Sequence, residues 1–160
     1  MASRIALVLL MAFGTMAAAQ TPNECPWLTS GSAANVLGGD VTVVSHADGN
    51  WEGSCIFSRP VKGETRTIEV RVSKTNTHPC PQASTIVKAL GNEAVQCQRI
   101  TPQGERAEMM AGRVRDAYFV VSMIHVPEAT QVEPVIAHSP DPFGASALER
   151  VAEQVAGNLF

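Results

Sequence analysis

Residues 118–126 read YFVVSMIHV, and this stretch decides the fold because both of its alternating faces are apolar. Successive side chains of a β-strand point to opposite faces of the sheet, so a strand of this kind needs cover on each side. The stretch therefore predicts a strand at the centre of a sheet.

The neighbouring segments supply partners for this strand in an antiparallel sheet. Residues 67–73, TIEVRVS, alternate between polar and apolar side chains, which is the pattern of a half-buried strand. Residues 41–46 and 51–58 predict a hairpin, and Arg59-Pro60 is expected to end its second arm. The remaining predicted strands are 94–100 and 106–115.

Three helices are predicted from apolar residues at helical spacing. The first begins after Thr29, which can cap a helix N-terminus, and ends at Gly38-Gly39. The second covers residues 83–90, and the third covers 148–159, where one apolar stripe faces the sheet. Together the elements predict an α+β fold, with a twisted antiparallel sheet, short helices and a packed C-terminal helix.

The N-terminus has the order of a secretory signal peptide. Arg4 precedes an uncharged apolar run at 5–13, and Ala17-Ala18-Ala19 supplies small residues for cleavage after residue 19. The apolar run is too short for a membrane-spanning helix, so no transmembrane segment is expected after cleavage. Residues 1–19 are therefore predicted to be removed, and residues 20–160 to form a single domain in a periplasmic or extracellular location.

The four cysteines predict two disulfides. An even number of cysteines in an exported chain favours disulfides, and the absence of a C-x-x-C pair argues against a zinc site. Four cysteines allow three pairings, so their number and spacing leave the connectivity open. The cysteines are Cys25, Cys55, Cys80 and Cys97.

Two short motifs indicate an internal repeat. Cys25-Pro26 opens a segment that ends at Leu37-Gly38, and Cys80-Pro81 opens one that ends at Leu90-Gly91. A two-fold α-β-β-β repeat would give each half its own bridge, Cys25–Cys55 and Cys80–Cys97. Chance is the alternative, because glycine after helices and proline near their starts are common everywhere.

The motif Cys25–Thr29, CPWLT, stands before a short helix ending at Leu37-Gly38-Gly39, and Cys55 lies on the hairpin. With the segment 90–95, LGNEAV, these residues resemble exported bacterial domains of unknown function, of the type in actinobacterial secreted lipoproteins and extracellular kinase sensor domains. The resemblance implies a PsbP-like sheet with helices against it and a cleft, and it implies no catalytic residues. Neither a lipid-anchor cysteine at the cleavage point nor a kinase segment is present in the sequence.

Charge excludes some partners and suggests one site. With 12 Lys and Arg against 15 Asp and Glu and no long charged run, nucleic acid and anionic membrane surfaces are disfavoured. Arg113 and Arg115 are two residues apart on a predicted strand, so both are expected on one face, near Arg71, where they could bind an anion. The alternative is a solvated face balanced by Glu69 or Glu108.

No enzyme motif is present. There is no G-x-S-x-G elbow, no phosphate-binding glycine loop and no pair of histidines at ligand spacing, so no metal and no cofactor is predicted. The scattered candidates for chemistry are His46, His78, His125, His138, Ser122, Glu105, Glu108, Asp116, Glu128 and Glu133.

The prediction is an exported binding or interaction domain for an unknown small ligand or envelope protein. The expected contact surface is a cleft between the two halves, with a proline-rich loop at 127–142 nearby. Trp27 and Trp51 each lie near a cysteine and are expected in the core. The alternative function is a small exported hydrolase with a site assembled from the scattered histidine, serine and acidic residues.

Overall fold

The computed structural model describes residues 24–49, 51–76, 79–80, 84–88, 90, 93–127 and 145–160. Within them the chain forms α1 (Ser30–Leu37), β1 (Thr42–Ala47), β2 (Gly53–Val61), β3 (Glu64–Ser73), β4 (Thr85–Val87), β5 (Ala94–Ile100), β6 (Arg106–Val114), β7 (Ala117–Pro127) and α2 (Ala145–Gly157). The predicted signal peptide and residues 128–142 of the predicted loop lie outside these residues. The architecture is α+β, with more strand than helix.

The strands form one seven-stranded antiparallel sheet in the order β1-β2-β3-β7-β6-β5-β4. It consists of two meanders, β1-β2-β3 and β4-β5-β6-β7, that join where β3 pairs with β7 from Glu64–Pro127 to Ser73–Tyr118. The strand with two apolar faces is therefore central, as its sequence predicts, with three strands on either side.

Both helices pack on one face of the sheet, which we call the helix face. Ile68, Val70 and Val72 of β3 are buried there, in one core with Trp27 and the apolar stripe of α2. The α2 residues in this core are Ala147, Leu148, Val151, Ala152, Val155 and Ala156. The packing of the C-terminal helix is thus confirmed, and so is the burial of Trp27, whereas Trp51 is 43% exposed.

The ends of α1 follow from its capping residues. The Thr29 side chain accepts a hydrogen bond from the Ser32 backbone N–H (3.1 Å), and Gly38 adopts a left-handed φ of 86° while its N–H bonds Ala34 O (2.8 Å). A glycine is suited to that position because it lacks the Cβ that makes left-handed conformations costly.

Thr29→Ala is expected to destabilise the domain by about 1 kcal/mol, because one N-terminal backbone donor of α1 loses its acceptor. Urea denaturation of the oxidised protein measures this. Thr29→Ser is the matched control and should retain most of the stability, since its hydroxyl can make the same bond. Equal losses in the two variants would show that the methyl group, and not the cap, is responsible.

The prediction of a second helix at 83–90 is wrong, because Thr85–Val87 form the short edge strand β4, which pairs with β5. Val87 packs on the core and Leu90 is buried, as the apolar spacing indicates, but Ile86 is 76% exposed. The run of β-branched side chains favours a strand, and pairing with β5 decides between two structures that the spacing alone leaves open.

One further expectation is wrong, and another is not confirmed. Pro60 does not end β2, because β1 pairs only as far as Ser58 and a proline without N–H is tolerated on the locally unpaired edge. The α-β-β-β repeat is not confirmed, because its second helix is replaced by β4 and the second helix of the fold follows β7.

Two disulfides are present, Cys25–Cys55 and Cys80–Cys97. They are typical of proteins in oxidising compartments. Cys55 is fully buried in the main core, whereas Cys97 belongs to a small second cluster on the opposite side of the sheet. Neither of the helices among the described residues is long and apolar enough to cross a membrane.

Candidate functional site: a groove on the open face of the sheet

The side of the sheet opposite the helices, which we call the open face, carries Thr67, Glu69 and Arg71 of β3. After Ser73 the chain leaves β3, and the Cys80–Cys97 disulfide fixes it to β5, three positions away in the sheet. Three described residues of this connection, Asn76, Pro79 and Cys80, form a wall on the open face.

Below the wall lies a groove with a volume of about 660 Å³. Strands β6 and β7 supply its floor, and the wall, β3, β5 and the β5–β6 turn supply its rim. The floor residues are Ala107, Met109, Val120, Ser122 and Ile124, and the rim residues are Glu69, Arg71, Asn76, Pro79, Arg99, Thr101 and Pro102. Because β3 and β7 pair directly, the halves are not separated by a cleft, and the groove crosses their junction.

The floor is mostly apolar and contains one hydroxyl. Met109 and Ala107 are buried in the second cluster, against the partly buried Val120 and Ile124. Ser122 stands between Glu69 and Met109 in the cross-strand register and is only 4% exposed, the one buried polar side chain among the described residues. The groove therefore offers an apolar surface with a single polar group.

The rim is charged unevenly. Arg71 donates from Nε to Glu69 Oε1 at 2.7 Å, so this side of the groove carries a compensated pair. Arg99, on β5, is exposed and forms no hydrogen bond or ion pair with its side chain among the described residues. The positive charge at the β5 side is thus uncompensated by any described neighbour.

The three predicted anion-binding arginines are not brought together. Arg71 lines the groove, but Arg113 lies beyond it on the open face, opposite Tyr118 and 3.8 Å from Glu93. Contact with Tyr118, and then the Glu93 carboxylate, raise the pKa of Arg113 above its ordinary value, so it stays charged.

Arg115 lies outside the strand, because β6 ends at Val114. It occupies the turn with a left-handed φ of 53°, and its guanidinium lies 5.3 Å from the centre of the Phe160 ring. The expectation that Arg113 and Arg115 share a strand face is therefore wrong, because the turn begins one residue earlier than the alternation indicates.

The described histidines do not approach Ser122. His46 lies on β1, three strands from β7 and hence about 14 Å away across the sheet. His125 is on the other face, where its Nε2 contacts the Glu64 carboxylate that also pairs with Arg66. His78 and His138 lie outside the described residues, as do Glu128 and Glu133, and no metal-binding group occurs within them.

Arg99 and the apolar floor are the functional features that sequence reasoning missed. A signal was present, since Cys97 and Arg99 are two residues apart on one strand and must share a face. A bridge from Cys80 to Cys97 then places Cys80 on the same face as Arg99. Comparison with known protein families, curated proteins and solved structures found no match to this chain.

Proposed function

We propose that this chain is an exported binding domain whose small ligand occupies the open-face groove. The observation that carries this proposal is the groove itself, about 660 Å³ in volume, with an apolar floor and a polar rim. Binding sites for small molecules are usually concave, mostly apolar and ~300–1,000 Å³ in volume, with a few polar groups that orient the ligand.

The position of the groove also suits binding. Its floor belongs to β6 and β7, which are paired along their length at the centre of the sheet, so the floor is rigid. One wall is held by the Cys80–Cys97 disulfide. A second hollow, between α1 and α2, has a volume of only about 220 Å³ and is the weaker candidate.

The hydrolase alternative has less support. A serine nucleophile needs a general base within hydrogen-bond reach, and neither described histidine comes near the Ser122 hydroxyl. Ser122 is better explained as the polar group on the floor of a binding groove. Export is supported by the predicted signal peptide and by the two disulfides.

The proposal is tested with N-phenyl-1-naphthylamine, an uncharged dye whose fluorescence rises in apolar sites. We expect the oxidised protein to bind the dye and Val120→Asp to weaken binding about tenfold or more, because the new carboxylate stands on the floor. Val44→Asp is the matched control, since Val44 is an exposed valine of β1 that lies on the open face but outside the groove. Its replacement should leave dye binding unchanged.

Ile124→Asn is a second, uncharged change to the floor and should also weaken binding. Circular dichroism of each variant separates lost binding from lost folding. An absence of dye binding in the wild-type protein would overturn the proposed function, and equal effects of Val120→Asp and Val44→Asp would place the dye elsewhere.

A further inference from the structure

The charges around the open-face groove indicate which ligands it favours, given the proposed binding function. Two arginines and one glutamate line the groove, whereas the whole chain has a formal net charge of −3. The groove is thus locally positive on an acidic protein. A ligand that carries negative charge is attracted there and repelled elsewhere.

The uncompensated part of this charge lies at one end of the groove. Arg71 is paired with Glu69, while Arg99 stands on β5 directly opposite the apolar Ala107. The adjoining Thr101 hydroxyl donates to Glu105, which does not line the groove, so that carboxylate is already engaged. An anionic group placed at this end would meet the Arg99 guanidinium with no described carboxylate competing for it.

The two arginines are too far apart to hold one small anion. Arg71 and Arg99 lie on strands three positions apart, which separates them by about 14 Å across the sheet. They are also displaced along the strands, because Arg71 is level with Val120 and Arg99 with Ile124. Between them lies the apolar floor, so a ligand that fills the groove is elongated and apolar over most of its length.

We infer that the groove binds an anionic amphiphile, with its anionic group at Arg99 and one apolar chain across the floor. Ile124, Met109 and Val120 provide the surface for the chain. A carboxylate, sulfate or phosphate suits Arg99, because a guanidinium makes its strongest hydrogen bonds to such oxygens. The chemistry is shared by free fatty acids and by the anionic lipids of a bilayer.

The test is displacement of N-phenyl-1-naphthylamine from the full oxidised protein by amphiphiles with equal chains and opposite charge, below their micelle-forming concentrations. Dodecanoate is expected to displace the dye at about fivefold lower concentration than dodecyltrimethylammonium, since the exposed Arg99 attracts the carboxylate and repels the ammonium group. In Arg99→Gln this advantage should fall to about twofold or less.

Arg106→Gln is the matched control. Arg106 is also an exposed arginine, on the neighbouring strand, and it faces the side of the sheet away from the groove. The substitution removes the same charge and should leave the preference for dodecanoate intact. If Arg99→Gln and Arg106→Gln reduce the preference for dodecanoate equally, then the net charge of the protein, and not the position of Arg99, determines that preference.

The outcomes separate this inference from the proposed function. If the dye binds but the two amphiphiles displace it equally, the groove remains a binding site and the anionic ligand is ruled out. Binding to vesicles of phosphatidylglycerol, compared with vesicles of phosphatidylcholine, distinguishes a bilayer lipid from a free fatty acid as the source of the anionic ligand. Binding that requires phosphatidylglycerol and Arg99, without displacement by dodecanoate, would support the inference and identify a bilayer lipid as the ligand.

Discussion

Removing the Cys25–Cys55 disulfide in the double variant C25A/C55A is expected to lower the melting temperature by about 10–15 °C. The bridge closes a loop of 30 residues, which corresponds to about 3.5 kcal/mol of loop entropy in the unfolded chain. Cys55 is fully buried in the main core, so we expect no local opening of the folded protein that would offset this loss of stability. Calorimetry of the oxidised protein measures the shift.

The Cys80–Cys97 disulfide is expected to behave differently. Its loop of 17 residues corresponds to about 3 kcal/mol of loop entropy in the unfolded chain. In C80A/C97A, however, the wall of the groove can detach from the open face, so the native state also gains freedom and offsets part of that loss. The melting temperature should fall less than in C25A/C55A.

Binding separates the two variants further. Dye binding should be lost in C80A/C97A, because Asn76 and Pro79 no longer hold one side of the groove. At a temperature well below its transition, C25A/C55A should retain dye binding, since that bridge lies on the other side of the sheet. Undiminished binding in C80A/C97A would mean that the bridge does not shape the groove.

Local patterns in the sequence predict most of the individual elements. The alternation in 67–73 and the two apolar faces of 118–126 locate β3 and β7, and Thr29 and Gly38 locate the ends of α1. These predictions succeed because side-chain periodicity and capping depend on residues that are close together in the chain. The helix predicted around Thr85–Val87 is wrong, because a short apolar run fits a helix or a strand equally well until its pairing partner is known.

The groove could not be predicted in the same way, because it depends on long-range pairing. Its floor is the local hairpin of β6 and β7, but one side of its rim exists because β3 lies beside β7, and nothing local in either strand specifies that register. Its uncompensated charge depends on Arg99 having Ala107, and not an acidic residue, opposite it. The three arginines chosen from sequence include one groove residue, Arg71, because alternation identifies a face but not which part of that face is enclosed.

Gly112→Ala is expected to destabilise the domain by about 2–3 kcal/mol and to lower the melting temperature by about 10 °C, although it adds a single methyl group. Gly112 lies opposite Phe119 on β7, and a Cβ at Gly112 would stand 2.7 Å from Phe119 Cζ and 2.8 Å from Cε1. The Phe119 ring is fully buried beneath the helices, so it has no room to move aside.

Gly157→Ala is the matched control, since a Cβ there meets nothing within 4 Å and the residue ends α2. It should leave stability unchanged or raise it by up to about 1 kcal/mol, because alanine favours a helix over glycine. Calorimetry of both variants tests the contrast. Similar losses in the two would mean that glycine is required at position 112 for its backbone and not for the space above it.

A double-mutant cycle identifies the obstacle at Gly112. Phe119→Leu removes the ring atoms that the new methyl group would strike, at its own cost of about 1–2 kcal/mol in the core. If the clash is the cause, Gly112→Ala should cost much less in the Phe119→Leu background, and the coupling free energy should exceed about 1 kcal/mol. Additive losses would instead assign the effect to Ala94 Cβ, which lies 3.4 Å from the added carbon on the other side.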